Sequence, residues 1–224
     1  MTKNAKRLAN PLALAVLVLL YERAMHPYEM ASTLKERGKE KSIKLNYGSL
    51  YTVIGQLLRK GFIAARETLR EGRHPEKTVY TLTAAGEAEM SAWLRELVEK
   101  PAKEFPRFEA ALSLLPALPP EEVAHLLEQR TQALRKRLAE YAELDRLRAE
   151  ISLPRLFVIE AEYDRAMTQA ELEFAEALLR DIRADTDCLT SGWARLREAA
   201  LHAKQRPDSA PLDYRQFFTP GVQP

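Results

Sequence analysis

The 224-residue sequence contains one cysteine, Cys188, and so cannot close an internal disulfide. That excludes a disulfide-stapled scaffold and points to a reducing, cytoplasmic location. Nothing in the neighbouring Asp185-Thr186-Asp187 would lower a thiol pKa, so Cys188 reads as a buried or incidental thiol rather than a redox sensor. The four histidines, His26, His74, His125 and His202, fall on different segments with no metal-ligand spacing. No glycine-rich phosphate loop is present, and Cys188 has no evident histidine partner. Glu160, Glu162 and Asp164 share their segment with Arg165, the pattern of a solvated helix face rather than an acid/base pair. Neither an enzyme, a metal site nor a cofactor is therefore expected. Long apolar runs are missing too. Leu12 to Leu20 is far shorter than the ~20 residues that span a bilayer. Lys3, Lys6 and Arg7 ahead of it imitate a secretory signal. The run nevertheless passes into Tyr21-Glu22-Arg23 without a small-residue cleavage pattern. A buried helix of a soluble protein is the expectation, with no membrane partner.

Glycine is scarce as well: eight residues, against 29% charged and 46% hydrophobic, describe a helix-rich chain able to bury one or two cores. The net charge of +2 is unevenly divided. Residues 1–87 carry 15 Lys and Arg against 8 Asp and Glu, a net +7, and the remainder carries 19 against 24, a net −5. A basic head on an acidic body is the asymmetry of a nucleic-acid-binding domain joined to something else.

Periodicity supplies the elements. Asn10 and Pro11 open a first helix through Leu12 to Arg23, apolar nearly all round. After the turn Met25-His26-Pro27, a second helix spans Tyr28 to Arg37, with Tyr28, Met30, Ala31 and Leu34 as its stripe and Gly38 at its C′ position. A third runs from Asn46 to Lys60, stopped by Gly61, with Leu50, Val53, Ile54, Leu57 and Leu58 on its core face. The period then changes. Phe62 to Leu69 and Thr78 to Thr83 read as strands of a hairpin with a charged tip, and Thr83 caps a fourth helix to about Lys100. Three helices, a hairpin and a helix make a winged helix-turn-helix.

Pro101 and Pro106 break the chain before a helical segment from Arg107 to Leu115. A long helix follows from Glu121 to about Ile151. It carries Leu127, Leu134 and Tyr141 seven apart, flanked by Leu138, Leu144 and Leu147, a stripe that wants a partner helix. Pro154 begins another helical stretch, in which Thr168 and Glu171 have the spacing of a capping box and predict a restart near Met167. Helix then continues towards Lys204, and the proline-rich tail from Pro207 is expected to be poorly ordered. The predicted fold is mainly α. It comprises a winged-helix DNA-binding domain at 1–100, an all-helical dimerisation and effector domain at 101–206, and a tail at 207–224.

In a helix-turn-helix the second helix of the pair enters the major groove. Here that helix starts Asn46-Tyr47-Gly48-Ser49-Leu50-Tyr51-Thr52, and placing Leu50 inward turns Gly48, Ser49, Thr52 and Gln56 outward. Short hydroxyl and amide groups reach base edges or phosphates, and a free helix N-terminus favours a phosphate. Asn46 serves as cap, as contact, or as both, and Tyr51 as packing or as a phosphate-facing hydroxyl. Lys41 and Lys44 precede the helix, while Arg70, Arg73, His74 and Lys77 decorate the hairpin tip. Cations at a wing tip neutralise phosphates.

These residues carry a resemblance. Leu12-Ala13-Leu14 to Leu20, His26-Pro27-Tyr28-Glu29-Met30 and Tyr47-Gly48-Ser49-Leu50-Tyr51 are similar to the PadR family of transcriptional regulators. So are Leu57-x-x-x-Gly61-Phe62-Ile63 and Tyr80-x-Leu82-Thr83-x-x-Gly86. The C-terminal half resembles the longer subfamily, whose helical extension embraces the partner subunit. The resemblance implies a homodimer on a roughly palindromic operator, usually a repressor, in some members answering to phenolic or other small apolar effectors. It also implies an effector-facing role for Trp93, beside the plainer reading of a core or interface tryptophan. The competing readings are a winged helix that contacts protein rather than DNA, which the +7 head disfavours, and a MarR-like regulator. In the latter, helices normally precede the winged helix as well as follow it.

Overall fold

Asn10 stands in extended conformation and its Oδ1 accepts from the Leu12 N–H (3.0 Å), so helix α1 (Pro11–Glu22) starts where proline has no hydrogen bond to lose. Leu12 through Leu17, with Leu19 and Leu20, are all buried, which makes α1 the axis of the first core. The computed structural model describes residues 10–66, 78–204 and 213–218, and the chain divides into two compact units, Met1–Glu104 and Phe105–Pro224.

In the first unit, His26 caps helix α2 (Pro27–Glu36). Its ring Nδ1 accepts from the Tyr28 N–H (3.1 Å), and the Glu29 carboxylate reaches back to accept from the His26 N–H (2.8 Å), a capping box built on histidine. Pro27, Met30, Ala31 and Leu34 are its buried residues. Tyr28, assigned to the apolar stripe from the sequence, is instead 65% exposed: with the helix starting at Pro27, proline takes the inward position and the tyrosine ring turns to solvent. A 3-10 turn, Lys39–Lys41, leads to helix α3 (Tyr47–Arg59). The left-handed Gly61 (φ +71°) then turns the chain into strand β1 (Ile63–Arg66). β1 pairs antiparallel with β2 (Val79–Leu82), Ile63 opposite Leu82 and Arg66 opposite Val79. Met25 exchanges two backbone hydrogen bonds with Tyr80 (3.1 and 3.0 Å), a bridge that ties the α1–α2 turn to the hairpin. Thr83 caps helix α4 (Ala84–Glu99), its hydroxyl accepting from Gly86 N–H (3.1 Å) and lying 2.7 Å from the Gly61 carbonyl. A Cβ on Gly86 would stand 2.0 Å from the Phe62 carbonyl oxygen, so α4 meets the start of the hairpin at a distance only glycine permits. Leu50, Val53, Ile54, Leu57, Ile63, Met90 and Trp93 close over α1. The winged helix-turn-helix read from the sequence is thus present; Glu67 to Leu69 of the predicted first strand lie outside the described residues.

The second unit is helical throughout its described residues. Helices α5 (Arg107–Leu112), α6 (Pro120–Glu150), α7 (Ile159–Ala184) and α8 (Leu189–Lys204) follow in order. α6 and α7 lie antiparallel. Val123, Leu127, Thr131 and Leu134 bury against Thr168, Leu172, Ala175, Leu179 and Ile182. The long stripe on α6 therefore finds a partner helix within its own chain. Ion pairs clasp the two helices along their length: Arg130–Glu171, Arg135–Glu176 (2.7 Å) and Arg183–Glu128 towards one end, Arg137–Asp164 (2.6 Å) and Arg165–Asp145 (2.5 Å) towards the other. Each is half-exposed and worth little alone, but together they fix the register. Thr168 and Glu171 do not cap a new helix. α7 runs straight through; the buried Thr168 hydroxyl donates to the Asp164 carbonyl (2.8 Å) and Glu171 is held by Arg130. The break comes later, at Asp185, Asp187 and Cys188, all in left-handed conformation, where the Asp185 carboxylate accepts from the N–H groups of Thr190 and Ser191 and so caps α8. Residues 213–218, part of the predicted tail, form a 3-10 turn (Tyr214–Phe218) packed on α8, with Arg195 Nη2 donating to the Phe217 carbonyl (2.6 Å).

Candidate nucleic-acid interface

Helix α3 is held by one face. Leu50, Val53, Ile54 and Leu57 are buried against α1 and its surroundings, and at 100° per residue the opposite face is Gly48, Thr52, Gly55 and Arg59. Ser49 and Gln56 flank that face on one side, half-buried, and the exposed Tyr47 and Tyr51 flank it on the other. The outward set expected from sequence is therefore brought together on one helix, with Ser49 and Gln56 at its edge rather than its centre.

The helix begins cleanly. Asn46 is extended (φ −142°, ψ 153°) and its Oδ1 accepts from the Ser49 N–H at 2.7 Å. It is the cap, and Ser49 supplies the N–H that is capped. The remaining first-turn N–H groups face solvent at the positive end of the helix dipole. The Thr52 hydroxyl donates to the Gly48 carbonyl (2.9 Å), so its polar group is spent within the helix and its methyl remains for outside contact. Lys35 of α2 sits over the Tyr47 ring, 5.3 Å from its centroid, and links the two helices of the motif at the exposed rim.

Cations border this face. Lys41 closes the 3-10 turn before α3, and Lys44 is exposed in the following loop. Arg59 and Arg66, at the ends of α3 and β1, were not singled out from sequence. Stepping seven residues on from Gly48 and Thr52 would have reached Gly55 and Arg59. Neither Lys44, Arg59 nor Arg66 has an ion-pair partner among the described residues, in contrast to Arg37, which is clamped by Glu22 (2.6 Å). That guanidinium holds the Glu22 carboxyl below its ordinary range. The His26 backbone N–H does the same for Glu29, helped by Arg23. These acids are engaged within the scaffold and, among the described residues, pair with none of Lys44, Arg59 and Arg66. Arg70, Arg73, His74 and Lys77 of the hairpin tip lie outside the described residues.

Trp93 is 6% exposed and packs in the winged-helix core. The second unit has an open cleft of about 400 Å³ between α6 and α7, lined by Thr131, Gln132, Arg135, Glu176, Leu179 and Arg180 among others. Its wall is charged and ill-matched to an apolar molecule. Among the described residues there is no group of three or more His, Cys, Asp or Glu placed to hold a metal ion, and no helix long and apolar enough to cross a membrane.

Residues 16–92 match the Transcriptional regulator PadR-like family. No curated protein matches the chain. Among solved structures, Bacillus subtilis PadR in complex with operator DNA superimposes with a TM-score of 0.58 at 23% identity, covering 77% of this chain and 99% of that one. The same protein in complex with p-coumaric acid gives 0.60 at 21% identity, covering 77% and 98%. A PadR-like transcriptional regulator from Bacillus cereus gives 0.50 at 16%, covering 80% and 99%. At these identities the likeness is one of fold.

Proposed function

Residues 16–92 constitute a domain of the PadR-like family of transcriptional regulators, and from that premise we propose that this chain is a sequence-specific DNA-binding regulator. It acts in the cytoplasm as a homodimer and represses by occupying a roughly palindromic operator. The observation that carries the reading is the outward face of α3: a capped N-terminus, small side chains and, among the described residues, cations without an ion-pair partner in Lys44, Arg59 and Arg66, on a helix whose other face is locked into the core. B. subtilis PadR, with the same fold, has been crystallised on operator DNA. Lys41, Lys44, Arg59 and the wing cations Arg70, Arg73, His74 and Lys77 neutralise phosphates and supply affinity. Asn46, Tyr47, Gly48, Ser49, Tyr51, Thr52 and Gln56 face the groove and supply discrimination.

Specificity needs two such helices about one DNA turn apart (~34 Å), and hence a dimer. Support for one lies in apolar surface that a monomer leaves wet. On α4, Val98 is 87% exposed beside the exposed Leu97, and around the α6–α7 turn Ile151, Leu156 (75%), Phe157 and Tyr163 are exposed. The apolar stripe of α6 also loses its cover towards this end, from the buried Leu134 to the exposed Leu147. A small apolar or phenolic effector, a class to which the p-coumaric acid bound in one B. subtilis PadR structure belongs chemically, would act by binding the DNA-competent and DNA-incompetent dimers unequally. Neither catalysis nor a cofactor is part of this mechanism.

The test is fluorescence anisotropy with labelled duplexes tiling the promoter upstream of the protein's own reading frame. A shuffled duplex of the same composition serves as control, at two salt concentrations. Tighter, salt-sensitive binding to one tile, lost in Thr52→Glu, is expected. Equal binding of tile and shuffled DNA, or none, would move the assignment to a protein-contacting winged helix. Phe157→Glu should shift the protein from dimer to monomer in light scattering; an unchanged mass would remove the α6–α7 turn from the interface.

A further inference from the structure

Glycine is a poor residue for the middle of a helix, and Gly55 stands ninth of the thirteen residues of α3. Two structural demands usually account for it, and neither operates here. Its backbone is not left-handed, unlike Gly38 and Gly61. Nor does it make room for a neighbouring element, as Gly86 does. Among the described residues, a Cβ built at Gly55 meets a single atom within 4 Å, the Arg59 Nη1 at 3.6 Å, an ordinary contact with the movable end of a side chain. The fold would thus accept alanine and gain from it.

We infer that Gly55 sets how closely DNA approaches the middle of α3. The inference rests on the DNA-binding reading above and adds a residue that reading did not contain. Gly48, Thr52 and Gly55 follow one another along the outward face, and the Thr52 hydroxyl is already turned back onto the helix. Over two turns, the projecting atoms on this line are therefore one methyl and backbone. Beyond Gly55 the line ends at Arg59, whose guanidinium lies back beside the glycine and has no ion-pair partner among the described residues. A duplex seated on this face can bring a base edge or sugar against the helix backbone at residue 55 while Arg59 takes the adjoining phosphate. A side chain at 55 would hold the duplex off by roughly the length of one C–C bond, ~1.5 Å, enough to lengthen every short hydrogen bond along the helix.

The experiment measures Gly55→Ala, Arg59→Ala and the double variant in the full-length protein, by thermal melting and by anisotropy against the promoter tile and its shuffled control. Gly55→Ala is expected to melt about 3 °C or more above the parent, through a less flexible unfolded chain, while losing about tenfold or more in affinity for the tile. The loss should persist in the Arg59→Ala background. Unchanged or tighter binding by Gly55→Ala overturns the inference. So does a loss that vanishes when Arg59 is absent, since Gly55 would then serve only to place that arginine. A parent protein that does not distinguish the tile from the shuffled duplex refutes the DNA reading, and this inference with it. The parent titration alone reveals that outcome.

Discussion

Asn46 can be made to report on its two roles separately. Its Oδ1 caps α3 by accepting from Ser49 N–H at 2.7 Å, and it stands where the front of the helix would meet DNA. Asn46→Ala removes the acceptor and should cost about 1 kcal/mol, a fall in melting temperature of about 4–8 °C for a unit of roughly 100 residues. Asn46→Asp keeps an acceptor of the same shape and adds charge complementary to the helix dipole, so stability should stay within about 0.5 kcal/mol of the parent or rise. Binding should separate the pair in the other direction. A carboxylate ~6 Å from a phosphate in water is repelled by about 0.7 kcal/mol, and two such phosphates give about 1.4 kcal/mol, or tenfold in affinity. Melts followed by circular dichroism and anisotropy titrations at low and moderate salt read both quantities, and the loss should shrink as salt rises. If Asn46→Asp binds the promoter as the parent does at low salt, the N-terminus of α3 is not at the DNA. If it melts with Asn46→Ala, the capping assignment is wrong.

Gly86→Ala should destabilise the first unit by about 2–3 kcal/mol, about 10 °C or more in melting temperature, because its Cβ would sit 2.0 Å from a carbonyl that also accepts from the Thr83 N–H and hydroxyl; a change under about 2 °C would show the contact to be soft. Gly192→Ala places a Cβ 2.5 Å from the Phe217 carbonyl oxygen, so it should release the Tyr214–Phe218 turn and speed C-terminal proteolysis, read by mass spectrometry, without a comparable loss of helix; unchanged cleavage would refute the docking. The folded pKa of Glu29 lies below the ordinary carboxylate range, so its contribution is complete above that range and is lost as pH falls through the folded value. Melting temperature should therefore fall more steeply below about pH 4.5 in the parent than in Glu29→Gln, which should already be weaker at neutral pH by about 0.5–1 kcal/mol; parallel profiles would contradict this.

Elements whose limits are set by local chemistry were legible in the sequence. Asn10-Pro11, Asn46, Thr83, Gly38 and Gly61 each act within a few residues of where they stand, and the structure uses each as a cap or a turn. Where two local signals competed, the sequence misled. Thr168-x-x-Glu171 has the spacing of a capping box, but Thr168 faces α7's partner helix and Arg130, 41 residues away, claims Glu171, so tertiary contact overrides the local motif. The break at Asp185–Cys188 carried no glycine or proline to announce it, and the left-handed conformation of Asp185 is offset by the cap its carboxylate gives α8. Tyr28 was misplaced by a single residue of helix phase. At 100° per residue it stands about a third of a turn from the direction shared by Pro27, Met30, Ala31 and Leu34, so its ring lies off the buried face.

The interface was legible for a different reason. Once Leu50, Val53, Ile54 and Leu57 are assigned inward, helical geometry determines which residues point out, and Gly48 and Thr52 follow without further information. What that step could not supply was meaning for residues with no side chain or no partner. Gly55 looks in sequence like a weak spot in a helix, and Arg59 like one surface cation among many. Only the surroundings show that nothing in the described fold requires the glycine and that no carboxylate pairs with the arginine. A residue that costs the fold something and serves nothing within it points to a constraint from outside. On the outward face of a helix-turn-helix's second helix, the constraint we propose is the surface of a duplex.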